Sequence, residues 1–125
     1  MQGAHIAIID DDESLCRSLG RLLRLAGYRS TAYHSAEQFL ADGARAGFAC
    51  LLLDIQLGAV SGLEVQRQLA AEGSSVPVIF ITAHDEPMAR DEAARAGCAG
   101  FFRKTESGAR ILDAIERVTA RAARP

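Results

Sequence analysis

Ala49-Cys50-Leu51-Leu52-Leu53-Asp54 is the stretch on which the reading of this chain turns. Its small and apolar residues form a run too short for a buried helix and too uniform for a half-exposed strand. Such a run reads as a strand covered on both faces, as in a parallel sheet. Asp54 then falls at the C-terminal end of the strand, the edge where open α/β sheets bind their ligands. Three other runs end the same way. Ile6-Ala7-Ile8-Ile9 ends in Asp10-Asp11-Asp12, Val78-Ile79-Phe80-Ile81 in Thr82, and Gly100-Phe101-Phe102-Arg103 in Lys104. Carboxylates, a hydroxyl and an ammonium are thereby directed at one crevice.

Working outward, His5 to Ile9 reads as the first strand. In the helix that follows, Leu15, Leu19, Leu22, Leu23 and Ala26 share a face, and Gly27 ends it. Tyr28 to Tyr33 is a more polar strand, expected near a sheet edge. Ser35-Ala36-Glu37-Gln38 fits a capping box opening a short second helix, with Gly43 and Gly47 bracketing its end. Leu63, Val65 and Leu69 lie in a third helix. Asp85 or Glu86 opens a fourth, with Pro87 in its first turn and Gly97 at its end. Ile111, Leu112, Ile115 and Val118 form the stripe of a fifth. Strand and helix thus alternate five times. The expected fold is α/β, a five-stranded parallel doubly wound sheet of flavodoxin-like order 2-1-3-4-5 with five helices on two faces. Strands one and three are neighbours in that order, so Asp10, Asp11 and Asp54 converge.

The bulk numbers describe a globular domain. The chain has 125 residues, 49% hydrophobic and 24% charged, with a formal net charge of −2. That balance offers no electrostatic footprint for direct nucleic-acid binding. No apolar run is long enough to span a bilayer, and the first residues are not a signal peptide, so the expected location is the cytoplasm. Cys16, Cys50 and Cys98 are widely spaced and fit neither a zinc site nor a disulfide framework. They read as reduced, partly buried thiols.

Carboxylates crowded at one edge repel unless protonated or bridged by a cation. All-oxygen ligands select a hard ion, and Mg²⁺ takes one or two carboxylates plus phosphoryl oxygen. Lys104 suits one phosphoryl oxygen as a point charge, and Thr82 can donate its hydroxyl to another. Asp54 is then placed as a nucleophile toward phosphorus. Each feature alone has a plainer reading: Asp10 to Asp12 as a helix cap, Thr82 as a strand end, Lys104 as a surface lysine, Phe101 as core. Together, at the ends of four strands, they point to phosphoryl chemistry.

These residues also carry a resemblance that covers nearly the whole chain. Its marks are Ile9-Asp10-Asp11-Asp12, Asp54, Gly62, Ile81-Thr82-Ala83-His84 and Phe101-Phe102-Arg103-Lys104. The chain resembles a response-regulator receiver domain of two-component signalling, most like receivers attached to a helix-turn-helix output domain. The resemblance implies that Asp54 is the phosphoacceptor. It implies Mg²⁺ held by Asp11, Asp54 and the Gln56 backbone carbonyl, with Asp10 acting through water, while Asp12 falls outside the acidic pair. Thr82 and Lys104 match the switch hydroxyl and phosphate-binding lysine, and Phe101 the aromatic that turns inward on phosphorylation. Gln56 and His84 flank the site and are expected to tune hydrolysis. The implied partners are a histidine kinase, a C-terminal DNA-binding output domain or partner protein, and a second copy on phosphorylation. No turnover enzyme is implied. Residues 1–120 are expected to form the receiver and 121–125 a tail or the start of a linker.

Two positions depart from the family pattern. Gly58 stands where proline is usual, which predicts a less rigid loop. Thr105 follows Lys104 where the family has proline joined by a cis bond. A cis bond before threonine costs about 3–4 kcal/mol, against about 0.5–1 before proline. Either the surroundings enforce it or the loop runs trans and presents Lys104 differently. These departures motivate a second reading, a degenerate receiver acting as a phosphorylation-independent interaction module. A third, a phosphohydrolase of the haloacid-dehalogenase type using Asp10, lacks the further acidic motif and the cap domain.

Overall fold

The computed structural model describes residues 3–43, 47–83 and 87–123. Its elements, in chain order, are β1 (His5–Ile9), α1 (Glu13–Leu25), β2 (Arg29–Tyr33), α2 (Ala36–Ala41) and β3 (Cys50–Leu53). After these come α3 (Gly62–Ala71), β4 (Val78–Thr82), α4 (Pro87–Arg95), β5 (Gly100–Arg103) and α5 (Gly108–Ala123). All strand pairings are parallel and the order is β2-β1-β3-β4-β5, as the alternation predicts. The polar strand β2 is an edge. The residues proposed to open the fourth helix, Asp85 and Glu86, lie outside the described residues, as does His84.

Strand side chains alternate between two cores. Ala7, Ile9, Leu51, Leu53, Val78 and Phe80 face α2, α3 and α4 through Phe39, Leu63, Val65, Leu69 and Ala93. Ile6, Ile8, Cys50, Leu52, Ile79 and Ile81 face α1 and α5 through Cys16, Leu19, Leu23, Ile111, Ala114 and Ile115. β3 is buried along its whole length, as its uninterrupted apolar run requires. The face of α1 is shifted from the expected one. Cys16, Leu19 and Leu23 are its buried residues, while Ala26 is exposed as the C-cap. The sequence stripe counted leucines, but the three- and four-residue spacing that meets the sheet runs through the small thiol.

Local signals place the ends. Asp12 is the N-cap of α1, accepting from the Leu15 N–H at 3.1 Å. At the far end Gly27 has φ 93°, and the Gly27 and Tyr28 N–H groups donate to the carbonyls of Arg24 and Leu23. That is a Schellman ending; it occupies Tyr28, so β2 begins one residue later than expected. Ser35 accepts from the Gln38 N–H, but the Gln38 side chain accepts from the His34 N–H, not from Ser35. The capping box is thus widened by one residue. α5 continues to Ala123, so the first residues of the expected tail are helical.

Gly62 opens α3 against the end of β3. Its N–H donates to the Ile55 carbonyl at 2.7 Å. A Cβ there would overlap the Asp54 carbonyl oxygen and lie 3.0 Å from both the Asp54 carbonyl carbon and the Ile55 Cα. All of these are backbone atoms that cannot turn aside. Gly62→Ala should therefore cost about 2–3 kcal/mol by overpacking, read from urea unfolding midpoints. A cost within about 0.5 kcal/mol, typical of surface substitutions, would show that this contact does not constrain the loop.

Candidate functional site

The sheet itself positions the site residues. The Asp10 N–H donates to the Tyr33 carbonyl at 3.0 Å, the Asp54 N–H to the Ile9 carbonyl at 3.0 Å, and the Lys104 N–H to the Thr82 carbonyl at 2.9 Å. Each is the first residue past its strand, still held by a ladder bond, so its side chain emerges at the C-terminal edge with little freedom. Asp10, Asp54 and Thr82 are buried, at 3%, 5% and 1% exposure. Asp11 is exposed.

Three carboxylates meet here, each offering an oxygen within 4.8 Å of the others. Lys104 bridges two of them, with Nζ 3.0 Å from Asp10 Oδ2 and 3.2 Å from Asp54 Oδ2. Lys104 Nζ also donates to Asp10 Oδ1 at 3.2 Å, and backbone amides add to the hold. The Asp12 N–H donates to Asp10 Oδ1 at 2.9 Å, and the Gln56 N–H to Asp54 Oδ1 at 3.2 Å. Burial raises the Asp10 carboxyl above its usual range; the Asp54 charge adds to this, while the Asp12 amide and Lys104 pull against it. For Lys104, burial is the largest single influence and works to lower the pKa. The bonds to and charges of Asp10 and Asp54 outweigh it, and the net shift is upward. One ammonium for three carboxylates leaves the edge electron-rich, and an all-oxygen set of this kind fits a hard divalent cation.

The site opens into a cleft of about 570 Å³ lined by Asp11, Asp54, Gln56, Gly58, Ser61 and Lys104, among others. Gly58 has φ +79°, in the left-handed region closed to proline, whose ring fixes φ near −65°. The loop after Asp54 thus takes a path that proline at this position would not permit. No peptide bond among the described residues is cis, so Lys104–Thr105 is trans, and Lys104 still reaches both aspartates. Phe101 is half-buried, its ring 6.0 Å from that of Phe80. The Arg90 guanidinium lies over the Phe101 ring, 5.1 Å from its centroid. The structure therefore brings Asp10, Asp11, Asp54, Gln56, Thr82 and Lys104 to one edge, with Phe101 on the neighbouring strand. His84 lies outside the described residues.

Two residues behind Asp10 were not anticipated from the sequence. The Cys16 thiol donates to the Asp10 carbonyl at 3.4 Å, and His34 Nδ1 lies 3.4 Å from the same oxygen. Both had a signal. Cys16 is six residues on, on the inward face of α1, and His34 follows β2 as Asp10 follows the adjacent β1.

A five-stranded parallel sheet with this acidic edge defines a receiver-type domain, and comparison with known proteins agrees. Residues 6–116 match the family described as response regulator receiver domain. The chain belongs to that family, and is thus a response regulator receiver domain of two-component systems. It is 41% identical over 115 residues to the response regulator protein TmoT of Ectopseudomonas mendocina, covering 91% of this chain and 52% of that protein. It is 33% identical over 118 residues to the transcriptional regulatory protein FixJ of Azorhizobium caulinodans, covering 94% and 56%. The chain spans about half the length of the curated relatives it matches. Among solved structures, FixJ-N superposes with a TM-score of 0.84 at 36% identity over 96% of both chains. A CheY-like receiver domain protein from Methanospirillum hungatei JF-1 shares the fold, with a TM-score of 0.88 at 22% identity over 95% of both chains.

Removing the bridging cation should expose the repulsion. Lys104→Ala is expected to lower stability by about 1.5–3 kcal/mol near neutral pH, the range for hydrogen bonds to charged groups. Asp10 has a raised folded-state pKa, so on acidification it takes up a proton before the unfolded chain does. That removes the charge Lys104 had neutralised, and the deficit should shrink as pH falls from neutrality toward the usual carboxylate range. Urea midpoints of both proteins across that range check the sign; a deficit that grows on acidification would contradict it.

Proposed function

We propose that this receiver accepts a phosphoryl group on Asp54 from the phosphohistidine of a kinase. The observation that carries the reading is Lys104 bridging Asp10 and Asp54 at the rim where Asp11 stands. Asp54 Oδ attacks phosphorus, an O–P bond forms as the P–N bond to the kinase histidine breaks, and the imidazole leaves. Mg²⁺, held by Asp11, Asp54 and the Gln56 carbonyl with Asp10 through water, would offset charge on the transferring group.

The chain's own residues do the rest. The Gln56 N–H fixes one Asp54 oxygen and so aims the other into the cleft. Lys104 exchanges a carboxylate for a phosphoryl oxygen, and the Thr82 hydroxyl takes another. Phe101, half-buried at the margin, follows Thr82 inward and changes the surface of α4, β5 and α5. Gln56 and His84 set how quickly water returns the aspartate to its free state, so the domain times a signal and does not turn over a substrate.

Residues 1–120 form the phosphorylated unit in this reading. Relatives named as transcriptional regulators, of which the chain spans about half, support a DNA-binding output of the helix-turn-helix class. A second copy is the partner on phosphorylation. Cytoplasm is the location such a kinase substrate requires; among the described residues no helix is long and apolar enough to cross a membrane.

Incubation with acetyl phosphate and Mg²⁺ tests the first step by intact mass. A single phosphoryl adduct is expected on the native chain and none on Asp54→Asn. An adduct that persists in Asp54→Asn, or none on the native chain, would overturn the assignment.

A further inference from the structure

Away from the aspartate cleft, α1 carries a second concentration of charge. Arg17, Arg21 and Arg24 recur at the four- and three-residue spacing of one helix face. Arg29, at the start of the edge strand β2, joins them around a shallow groove of about 580 Å³. All four are exposed. Elsewhere the surface arginines Arg67, Arg110 and Arg117 pair with Glu92, Glu106 and Asp113. None of the groove arginines has a carboxylate within 4.0 Å among the described residues; Arg17 reaches Ser14 and Arg29 the Gly3 carbonyl.

Folding does not ask for this arrangement. Like charges at these spacings destabilise a helix, and only Arg24 lies in the last turn, where the helix dipole welcomes a cation. Gly20 lines the groove between the arginines, and a glycine within a helix weakens it. A Cβ at Gly20 would meet Ser30 Oγ of β2 at 3.5 Å, so its lack of a side chain keeps the floor of the groove low between the helix and the strand. Leu25, four residues beyond Arg21 and so on the same side of the helix, is 82% exposed.

We propose that this α1–β2 groove docks a short acidic segment of a partner protein. Its carboxylates would take the guanidinium forks, which suit bidentate pairing, and an apolar side chain would cover Leu25. The charge pattern favours a short segment over a nucleic acid. The same helix begins beside exposed Asp11, Asp12 and Glu13, and the chain is net −2. A long polyanion running off the groove would meet that acidic end, whereas a segment confined to the arginines would not.

The test is a ¹⁵N NMR titration with a glutamate-rich peptide carrying a single leucine. A duplex oligonucleotide and phosphatidylserine-containing vesicles serve as separate probes. The peptide should shift amides in the second half of α1 and the start of β2. The triple variant Arg17→Gln, Arg21→Gln, Arg24→Gln should weaken binding at least about tenfold, a loss of about 1.4 kcal/mol. A control with the same charge change, Arg67→Gln, Arg110→Gln, Arg117→Gln, should bind as the native chain does. All six positions are exposed, and unchanged phosphorylation by acetyl phosphate in both variants would show the cleft intact. Absence of peptide binding would overturn the proposal. So would shifts mapping elsewhere, equal loss in both variants, or occupation of the groove by the oligonucleotide or vesicles in place of the peptide.

Discussion

The ammonium of Lys104 between the carboxylates of Asp10 and Asp54 is the interaction on which the site depends. Two buried carboxylates at one sheet edge repel strongly in a poorly solvated setting, and Asp11 adds a third at the rim. The protein holds them by fixing backbone first. Ladder bonds from the Asp10, Asp54 and Lys104 amides lock each residue one step past its strand. Two further amides help: the Asp12 N–H shares Asp10 Oδ1 with Lys104, and the Gln56 N–H takes the Asp54 oxygen that Lys104 leaves. The charge is opposed by donors that cannot relax away, so the edge stays assembled and electron-rich.

That arrangement links the fold to what the domain is for. Burial from both faces makes β1, β3 and β4 rigid, and their common ends carry the reactive groups. The loops are where freedom remains. Gly58 sits in a left-handed conformation just past the acceptor, while Gly62 is pressed against the Asp54 carbonyl. One end of the loop after Asp54 is therefore pinned and its middle permissive. At the other margin Phe101 is shared between the Phe80 ring inside and the Arg90 guanidinium outside, so its place depends on both core and surface.

Much of this was legible in the sequence because a few patterns report directly on the physics. Uninterrupted apolar runs gave the buried strands, and their common ending in charged or hydroxylic residues gave the edge. Alternation with helices fixed the parallel order, which put Asp10 beside Asp54. What stayed hidden depends on three-dimensional neighbours. Cys16 and His34 lie against the Asp10 carbonyl from two other elements; their positions carried a signal, but neither residue type announces such a role. The family pattern left the bond before Thr105 open; the structure has it trans with Lys104 still in place. The buried face of α1 runs through Cys16 and not Ala26, because spacing and proximity to the sheet outweighed a tally of apolar residues.

The most direct measurement is a Mg²⁺ titration of the ¹⁵N-labelled chain. If the three carboxylates form a cation site poised for phosphate, the amides of Asp11, Asp54, Gln56 and Lys104 should move together and saturate in the millimolar range. Their common response should vanish in Asp11→Asn. Amides at this edge that stay unmoved by Mg²⁺, or move equally in Asp11→Asn, would contradict the claim that the acidic edge is built to hold a divalent cation.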